Sequence, residues 1–299
     1  SAAVFPTQGL IAGQGAFINL GGEAPGQMVV ASPAGQYMRT VASGFRSFPS
    51  SRMGAMAYIR QLYLDLEHYQ RQKKAYDADP RGRTRPAYDR SLEGLAETPR
   101  VLFPAERPHE IERIARFAKE LGKPAILHGV QGGYANPAAL KGLGVVVSTK
   151  FPSGGADVDP EAPQELRDLD FRDNAPTTPA KLAAAGVKFA FTSDGQTAAE
   201  TLRAVRKAMT RGLKPDDALR ALTLSAAELY GLGDRLGSLE KGKIANLVVT
   251  KSDLLAERPE IQFIVVDGVK YAPVEPPTPR PGRPTGPTPS DDEEEEDPE

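Results

Sequence analysis

Apolar residues recur along the first third of the chain in short runs and then at helical spacing. Residues 1 to about 50 contain apolar runs at 2–5, 16–20 and 27–31 between glycine-rich segments, which predicts short strands joined by turns. Between 51 and 78 the apolar residues recur every three or four positions, which predicts one long amphipathic helix. The residues of its apolar face are Met53, Met56, Ile59, Leu62, Tyr63 and Leu66.

From about residue 100 onwards, short apolar strands alternate with helices. The alternation predicts a parallel sheet with crossover helices, and by itself it fits an open doubly wound sheet and a (β/α)₈ barrel equally well. A polar loop is expected from 148 to about 177. The strands are predicted at 101–103, 125–128, 145–147 and 188–192, and the helices at 109–121, 136–142, 178–185, 198–211, 215–223 and 225–232.

Composition and charge exclude several classes of protein. The 299 residues are 40% hydrophobic, which permits a substantial core, and the net charge is −2. Nine acidic and two basic residues follow Pro273, so the rest of the chain carries a mild positive excess of about five. It lacks the basic tract interleaved with aromatic residues that nucleic-acid binding favours. The chain contains no run of about eighteen apolar residues, so the sequence predicts no membrane span. The chain has no cysteine, which excludes disulfides and thiolate metal sites and leaves the redox compartment open.

The last 27 residues differ from everything before them. The segment 273–299 is rich in proline, threonine and glycine and ends in an acidic run, so it cannot bury a core and is expected to be disordered. A proline-rich ligand displayed by a tail is one interpretation, and a solvated linker is the other.

Several motifs resemble those of metal-dependent amidohydrolases, particularly the imidazolonepropionase-like group. The segment 237–249 reads Gly-Ser-Leu-Glu-Lys-Gly-Lys-Ile-Ala-Asn-Leu-Val-Val, with Asn246 where the family has Asp. The segment 49–54 resembles a Ser-Thr-Arg-Met-Gly run of that family, and 9–15 resembles its glycine-rich loop after barrel strand three. The segments 107–121 and 129–134 are similar to the helix after strand five and the loop after strand six.

The resemblance decides between the two sheet architectures. It implies an incomplete (β/α)₈ TIM-like barrel, with about strands 3–8, plus the C-terminal part of a small β-sandwich. The barrel portion would cover 1–235, with a helical insertion and loop at 51–90. The β-sandwich portion would cover 236–272, and the disordered tail 273–299.

The same resemblance implies that part of the family's site lies elsewhere. The chain enters the family pattern near strand three, so the His-x-His metal ligands of strand one are not expected in it. An incomplete barrel exposes strand edges, which is an aggregation hazard. We therefore expect a partner, either the N-terminal complement of the same precursor cleaved before Ser1 or a homologous amidohydrolase chain. A fragment of a longer protein is the alternative interpretation.

Two residues at predicted strand ends match functional positions of the family. Asp194 follows the apolar strand at 188–192, where the family has an acid that binds metal or moves the proton of the hydrolytic water. The alternative role is an N-cap of the next helix. His128 ends the strand at 125–128 and matches the family's strand-six His, a metal ligand or substrate contact; the alternative is a hydrogen-bonded structural His.

Two other positions depart from the family pattern. Where the family has His-Ala-x-Arg on strand five, this chain has Pro104-Ala105-Glu106-Arg107, and proline cannot bind a metal. Glu106 would be a replacement carboxylate ligand, two residues further along. Tyr37 stands where the family's strand-four Lys is expected. The resemblance further implies that Arg107 and Tyr134 contact substrate.

Metal-dependent hydrolysis needs three or four ligands, so these changes favour a degraded metal site. The first hypothesis is an amidohydrolase-like subunit with a structural or assembly role, which binds no cofactor. The second is an active hydrolase of cyclic amides or peptide-like C–N bonds, with zinc as the expected metal and a partner chain supplying His-x-His. A binding module displaying the acidic tail is the third. Export signals are common among relatives in this group, so an extracytoplasmic, periplasmic or secreted location is expected.

Overall fold

The computed structural model describes residues 1–22, 24–41, 48–153 and 163–273. They form a seven-stranded sheet and a separate three-stranded sheet. The strands of the large sheet are β1 (Ala2–Val4), β2 (Ile11–Ile18), β3 (Val29–Met38), β4 (Val101–Pro104), β5 (Ala125–Val130), β6 (Gly144–Ser148) and β7 (Phe189–Thr192). Those of the small sheet are β8 (Leu247–Thr250), β9 (Ile261–Val266) and β10 (Val269–Tyr271).

The order of the strands in the large sheet is their order in the chain, from β1 to β7. The first three strands are antiparallel, and β3 to β7 are parallel neighbours. The sheet curls into a half-barrel and does not close on itself within the described residues. The predicted fold class, an incomplete TIM-like barrel with a small antiparallel sheet, is thus confirmed.

Helices connect the parallel strands and cover the sheet, as such crossovers require. The longest, α2, is the long helix expected from the three- and four-residue spacing, and its N-cap Ser51 accepts a hydrogen bond from the Gly54 amide at 3.1 Å. Ile59 and Leu66 of its predicted apolar face are buried, whereas Met53 is 82% exposed. The helices are α1 (Pro25–Met28), α2 (Arg52–Ala78), α3 (Arg90–Glu97), α4 (Pro108–Glu120), α5 (Leu166–Asn174), α6 (Thr178–Ala184), α7 (Ala198–Thr210), α8 (Pro215–Leu222) and α9 (Leu224–Leu229). None of the described helices is long and apolar enough to cross a membrane.

The main core lies between the parallel strands and their helices. Phe103 of β4 is fully buried and packs edge-on against Phe117 of α4, with ring centroids 5.7 Å apart. Burying each such aromatic side chain contributes roughly 2–3 kcal/mol. Because this core fixes α4 against β4 and β5, it also fixes the loops that leave the carboxyl ends of these strands.

The small sheet is less buried than the large one. The residues of β8, β9 and β10 are all partly or fully exposed, although the strands are rich in Val and Ile. The register places Val248, Ile264, Val266, Val269 and Tyr271 on one face, here called the apolar face of the small sheet. Gly21 approaches this face at Val266 and Tyr271, while Val248 and Val269 remain 51% and 55% exposed.

Three sequence-based expectations for local structure were wrong. The glycine-rich segment 9–15, expected as a loop, mostly belongs to β2, because its glycines fit an antiparallel strand with bulges. The helix expected at 136–142 is a short 3₁₀ turn, Pro137–Leu140, capped by Asn136. The polar loop expected from 148 to 177 contains α5, while its middle part, 154–162, and the tail 274–299 lie outside the described residues.

Candidate functional site

A cleft of about 590 Å³ opens at the carboxyl ends of the parallel strands. This is the end of a parallel barrel sheet at which the strand-to-helix loops leave room for a ligand. Residues at or just beyond the ends of β3 to β7 line it; in the order of the sheet they are Tyr37, Pro104, His128, Ser148 and Asp194. The parallel register sets this arrangement, since it pairs Pro104 with His128 and Ser148 with Thr192.

His128 lines the cleft, next to an irregularity in the pairing of β5 with β6. Its ring meets that of Tyr37 edge-on, with centroids 6.2 Å apart. Burial lowers the pKa of His128, and the nearby Asp194 carboxylate opposes this shift only in part. The imidazole is therefore held in its neutral form, the form that can accept a proton or bind a cation.

Asp194 occupies the loop directly after β7 in a left-handed backbone conformation, with φ of 51°. Its Oδ2 accepts a hydrogen bond of 2.7 Å from the Ser148 hydroxyl, and that hydroxyl in turn accepts one from the Lys150 amide. The N-cap of the next helix is Thr197, not Asp194. The carboxylate thus faces the cleft and does not serve the helix, and strained conformations of this kind concentrate at functional sites.

Glu106 lines the same cleft two residues beyond the end of β4. Burial raises the pKa of its carboxyl group; Arg107 opposes that shift, and the neighbouring Glu110 and Asp194 add to it. Its backbone carbonyl accepts hydrogen bonds from the amides of Gln131 and Gly132, at 3.2 and 2.7 Å. These bonds attach the loop after β4 to the loop after β5, so Glu106 is fixed relative to His128.

The side chains in the cleft do not make a complete set of metal ligands. Pro104 ends β4 at the cleft and offers no ligating atom, and Tyr37 ends β3 with a phenol whose pKa burial raises. In the described part of the chain, no three His, Asp or Glu side chains converge as a metal site would require. His128, Asp194 and Glu106 share a cavity without forming such a group, so the residues present do not fit a bound metal.

Arg107 and Tyr134, the expected substrate contacts, lie beside a second pocket of about 500 Å³. The Arg107 guanidinium stacks over the Phe171 ring at 4.5 Å and forms an ion pair with Asp168 at 2.5 Å. The Tyr134 hydroxyl donates to Asp170 at 3.1 Å. The structure therefore brings these two residues together with α5, and not with His128 and Asp194.

Sequence reasoning missed the basic residues of the cleft. Arg39 follows β3, Arg52 begins α2, Arg113 lies on α4 and Lys150 follows β6. Glu110, Arg113 and Ile114 all line the cleft, and their three- and four-residue spacing on α4 is the signal that could have placed Arg113 there. The other three basic residues lie in loops or at a helix start, where no periodicity marks the exposed face.

Comparison with known proteins gives one family match and several relatives. Residues 170–273 match the Amidohydrolase family model. Adenine deaminase 3 of Rhizobium meliloti is 47% identical to this chain over 62 residues, which is 21% of this chain and only 10% of the deaminase.

One solved structure shares the fold over most of the chain. An amidohydrolase from Thermotoga maritima aligns over 89% of this chain and 70% of its own length, with 25% identity and a TM-score of 0.72. A zinc-bound adenosine deaminase from Xanthomonas campestris covers 79% of this chain and 60% of its own, with 17% identity and a TM-score of 0.34.

Proposed function

Because the chain belongs to the metal-dependent amidohydrolase superfamily, we propose that it is an amidohydrolase-like subunit whose altered metal site has left it a structural, assembly role. It acts in a complex with a partner chain, either the N-terminal complement of the same precursor or a homologous amidohydrolase.

The observation that carries this proposal is the ligand set of the cleft. Pro104 ends β4 where the family resemblance expects a His, and the described residues supply no group of three ligands. A structural or catalytic zinc site needs three or four ligands, so one lost contact cripples it. A fold retains its shape when its chemistry is lost, because packing and catalysis depend on different residues.

Two surfaces of the described residues support a partner. The strands β1 and β7 each pair on one side only, so each offers a row of backbone donors and acceptors. The small sheet leaves Val248, Val269 and Tyr271 exposed on its apolar face. A second polypeptide that supplied strands to either sheet would cover these edges and this face.

Native mass spectrometry combined with elemental analysis tests the proposal. The protein is isolated from its source without chelators and compared under native and denaturing conditions. A complex that releases this chain and a second polypeptide, without stoichiometric transition metal, supports the assembly role. A metal-free monomer contradicts the need for a partner, and a complex containing one metal per subunit favours the candidate that follows.

The second candidate is an active hydrolase of cyclic amides or peptide-like C–N bonds, completed by a partner chain that carries His-x-His. The observation that favours this candidate is that Asp194, His128 and Glu106 all line one cavity. Asp194 would take the proton of the attacking water as general base, and His128 would contact the substrate or a partner-held ion.

Assays of the intact complex on a panel of cyclic amides test this candidate. Asp194→Asn should abolish turnover, and Glu106→Ala should do so too if Glu106 replaces the lost His. Asp173→Asn, at an exposed ion pair with Arg211, is the matched control and should retain activity. Equal turnover by the Asp194→Asn variant and the unaltered complex would eliminate the hydrolase.

An extracytoplasmic location, periplasmic or secreted, is part of the same proposal and rests on the resemblance to exported relatives. Fractionation of source cells with an antibody against this chain tests it. Recovery with cytoplasmic markers alone would contradict it.

A further inference from the structure

The segment 71–90, here called the basic arm, concentrates positive charge at the protein surface. It comprises the last two turns of α2, the loop 79–89 and the first residue of α3. It contains seven basic and three acidic residues, so its net charge is positive. The basic residues are all exposed, and they are Arg71, Lys73, Lys74, Arg81, Arg83, Arg85 and Arg90.

Little of this charge is compensated by neighbouring acids. Lys73 pairs with Glu93 of α3, and Arg81 pairs with Asp79 at 3.1 Å. The carboxylate of Asp89 serves as the N-cap of α3. The other five basic residues of the arm form no ion pair with the described residues. An anionic segment bound here would therefore meet cations that lack a partner in the described structure.

The base of the arm is fixed, and its arginines lie close together along the chain. Glu93 accepts a hydrogen bond of 2.8 Å from the Tyr69 hydroxyl and another from the Lys73 ammonium group, which ties α3 to α2. The loop between these helices carries an arginine at 81, 83 and 85. Four residues span at most about 14 Å, so these three positions form one local cluster of positive charge.

An acidic segment of complementary charge belongs to the same chain. Residues 291–297 are seven consecutive acids, here called the acidic run. They follow Pro273 after a linker of 17 residues, 274–290. A chain of this length reaches about 60 Å when it is extended.

Contacts among the described residues bring the start of the linker towards the arm. A Cβ at Gly21 would lie 3.5 Å from the hydroxyl of Tyr271 in β10. Seven residues, at most about 25 Å, separate Gly21 from Gln14 of β2. The Gln14 amide donates to the carbonyl of Gly94 at 2.5 Å, next to Glu93 at the base of the arm. The strand is the longest step of this path and the other steps are direct contacts, so the linker is long enough.

We propose that the acidic run 291–297 binds the basic arm of the same chain. Each exposed ion pair is weak and sensitive to salt, but several act together, and a linker sets an effective concentration of about 1 mM. A contact with a Kd of about 0.1 mM is then occupied about nine-tenths of the time. The bound run covers the arm and withholds it from other anionic molecules. The proposal goes beyond the assembly role, since it concerns a surface that includes neither the cleft nor the small sheet.

Energy transfer between two dyes tests this contact in the full chain. The chain has no cysteine of its own, so Thr84→Cys in the arm and Pro298→Cys beside the acidic run provide the two attachment points. Raising the salt concentration from about 50 mM to 1 M shortens the Debye length to about 3 Å. We expect transfer to fall by about half, because the released linker lets the dyes move apart.

Charge variants of the labelled protein identify the surface that is bound. The arm variant removes three charges from the loop and should lower the transfer at low salt to its value in 1 M salt; its changes are Arg81→Gln, Arg83→Gln and Arg85→Gln. The matched control removes three exposed charges on α7 and between α7 and α8 and should leave transfer unchanged. Its changes are Arg203→Gln, Lys207→Gln and Lys214→Gln.

Three results would overturn the proposal. They are transfer that does not depend on salt, equal transfer in the arm variant and the control, and equal transfer in a mixture of singly labelled proteins. The last result would place the acidic run on a second copy of the chain. These measurements need neither a partner chain nor a metal, so their failure is distinct from failure of the assembly role.

Discussion

At the scale of single residues, His128 couples the cleft to the stability of the fold. Burial favours its neutral imidazole, so its folded pKa lies below the ordinary value of 6.5. At a pH between the folded pKa and 6.5, His128 is mostly protonated in the unfolded chain and mostly neutral in the folded chain. The stabilising contribution is complete above about pH 6.5 and is lost as the pH falls through the folded pKa, by at most about 1.4 kcal/mol per pH unit.

We therefore expect His128→Gln to reduce the pH dependence of the free energy of unfolding. Chemical denaturation near pH 7.5 and pH 5.5 measures the loss for each protein, and the unaltered chain should lose more than the variant. His68→Gln, at an exposed position on α2, should behave as the unaltered chain does. Identical losses for all three proteins would mean that His128 is not held neutral.

A second prediction at this scale concerns the hydrogen bond between Ser148 and Asp194. Ser148 is 2% exposed and its hydroxyl reaches Oδ2 of Asp194 at 2.7 Å, so the pair should be energetically coupled. A double-mutant cycle with Ser148→Ala and Asp194→Ala should give a coupling free energy of about 1 kcal/mol, below the full value of a charged hydrogen bond because Asp194 is exposed.

The control cycle pairs Ser148→Ala with Glu260→Gln, whose carboxylate interacts with Lys251 beside the small sheet. That cycle should give no coupling beyond about 0.5 kcal/mol. A zero value in the first cycle would show that Asp194 keeps its position without Ser148.

At the scale of elements, periodicity predicted the parallel strands and most helices because burial imposes it. The strands β4 to β7 appear within one or two residues of their expected positions, since each is an apolar run that must be buried on both faces. Only the second half of β2 was predicted, from the apolar run at 16–20, because the glycines of its first half carry no burial signal. The cleft was predicted only in part, because Arg39 and Lys150 reach it through loops that have no repeat.

The close approach of the loops after β4 and β5 gives an element-scale prediction. A Cβ at Gly132 would overlap the ring and nitrogen of Pro108, the first residue of α4. Gly132→Ala should therefore cost about 2 kcal/mol, because α4 or the loop has to move. Gly26→Ala in α1 meets no atom within 4 Å and should be neutral or slightly stabilising. Equal unfolding free energies for both variants would contradict this packing.

At the scale of the whole molecule, the described residues of the half-barrel and the small sheet leave strand edges and an apolar face accessible. Among the described residues, the outer strands β1 and β7 each have one neighbouring strand. Gly21 contacts the apolar face of the small sheet, and the rest of that face is accessible. Exposed patches of this kind mark interaction surfaces in soluble proteins. We therefore expect the chain to depend on the proposed partner to cover these surfaces.

Replacing the two exposed valines of that face tests this dependence. Val248→Thr with Val269→Thr keeps the β-branched shape and removes two methyl groups from a buried interface, each worth roughly 0.8 kcal/mol, so the complex should dissociate about tenfold more readily. The stability of the isolated chain should change by less than about 0.5 kcal/mol, since both side chains are half-exposed there. Val29→Thr, 46% exposed on β3, is the control and should leave dissociation unchanged. Sedimentation of the complex across a dilution series measures all three, and equal dissociation of the double variant and the control would mean that the partner does not cover the small sheet.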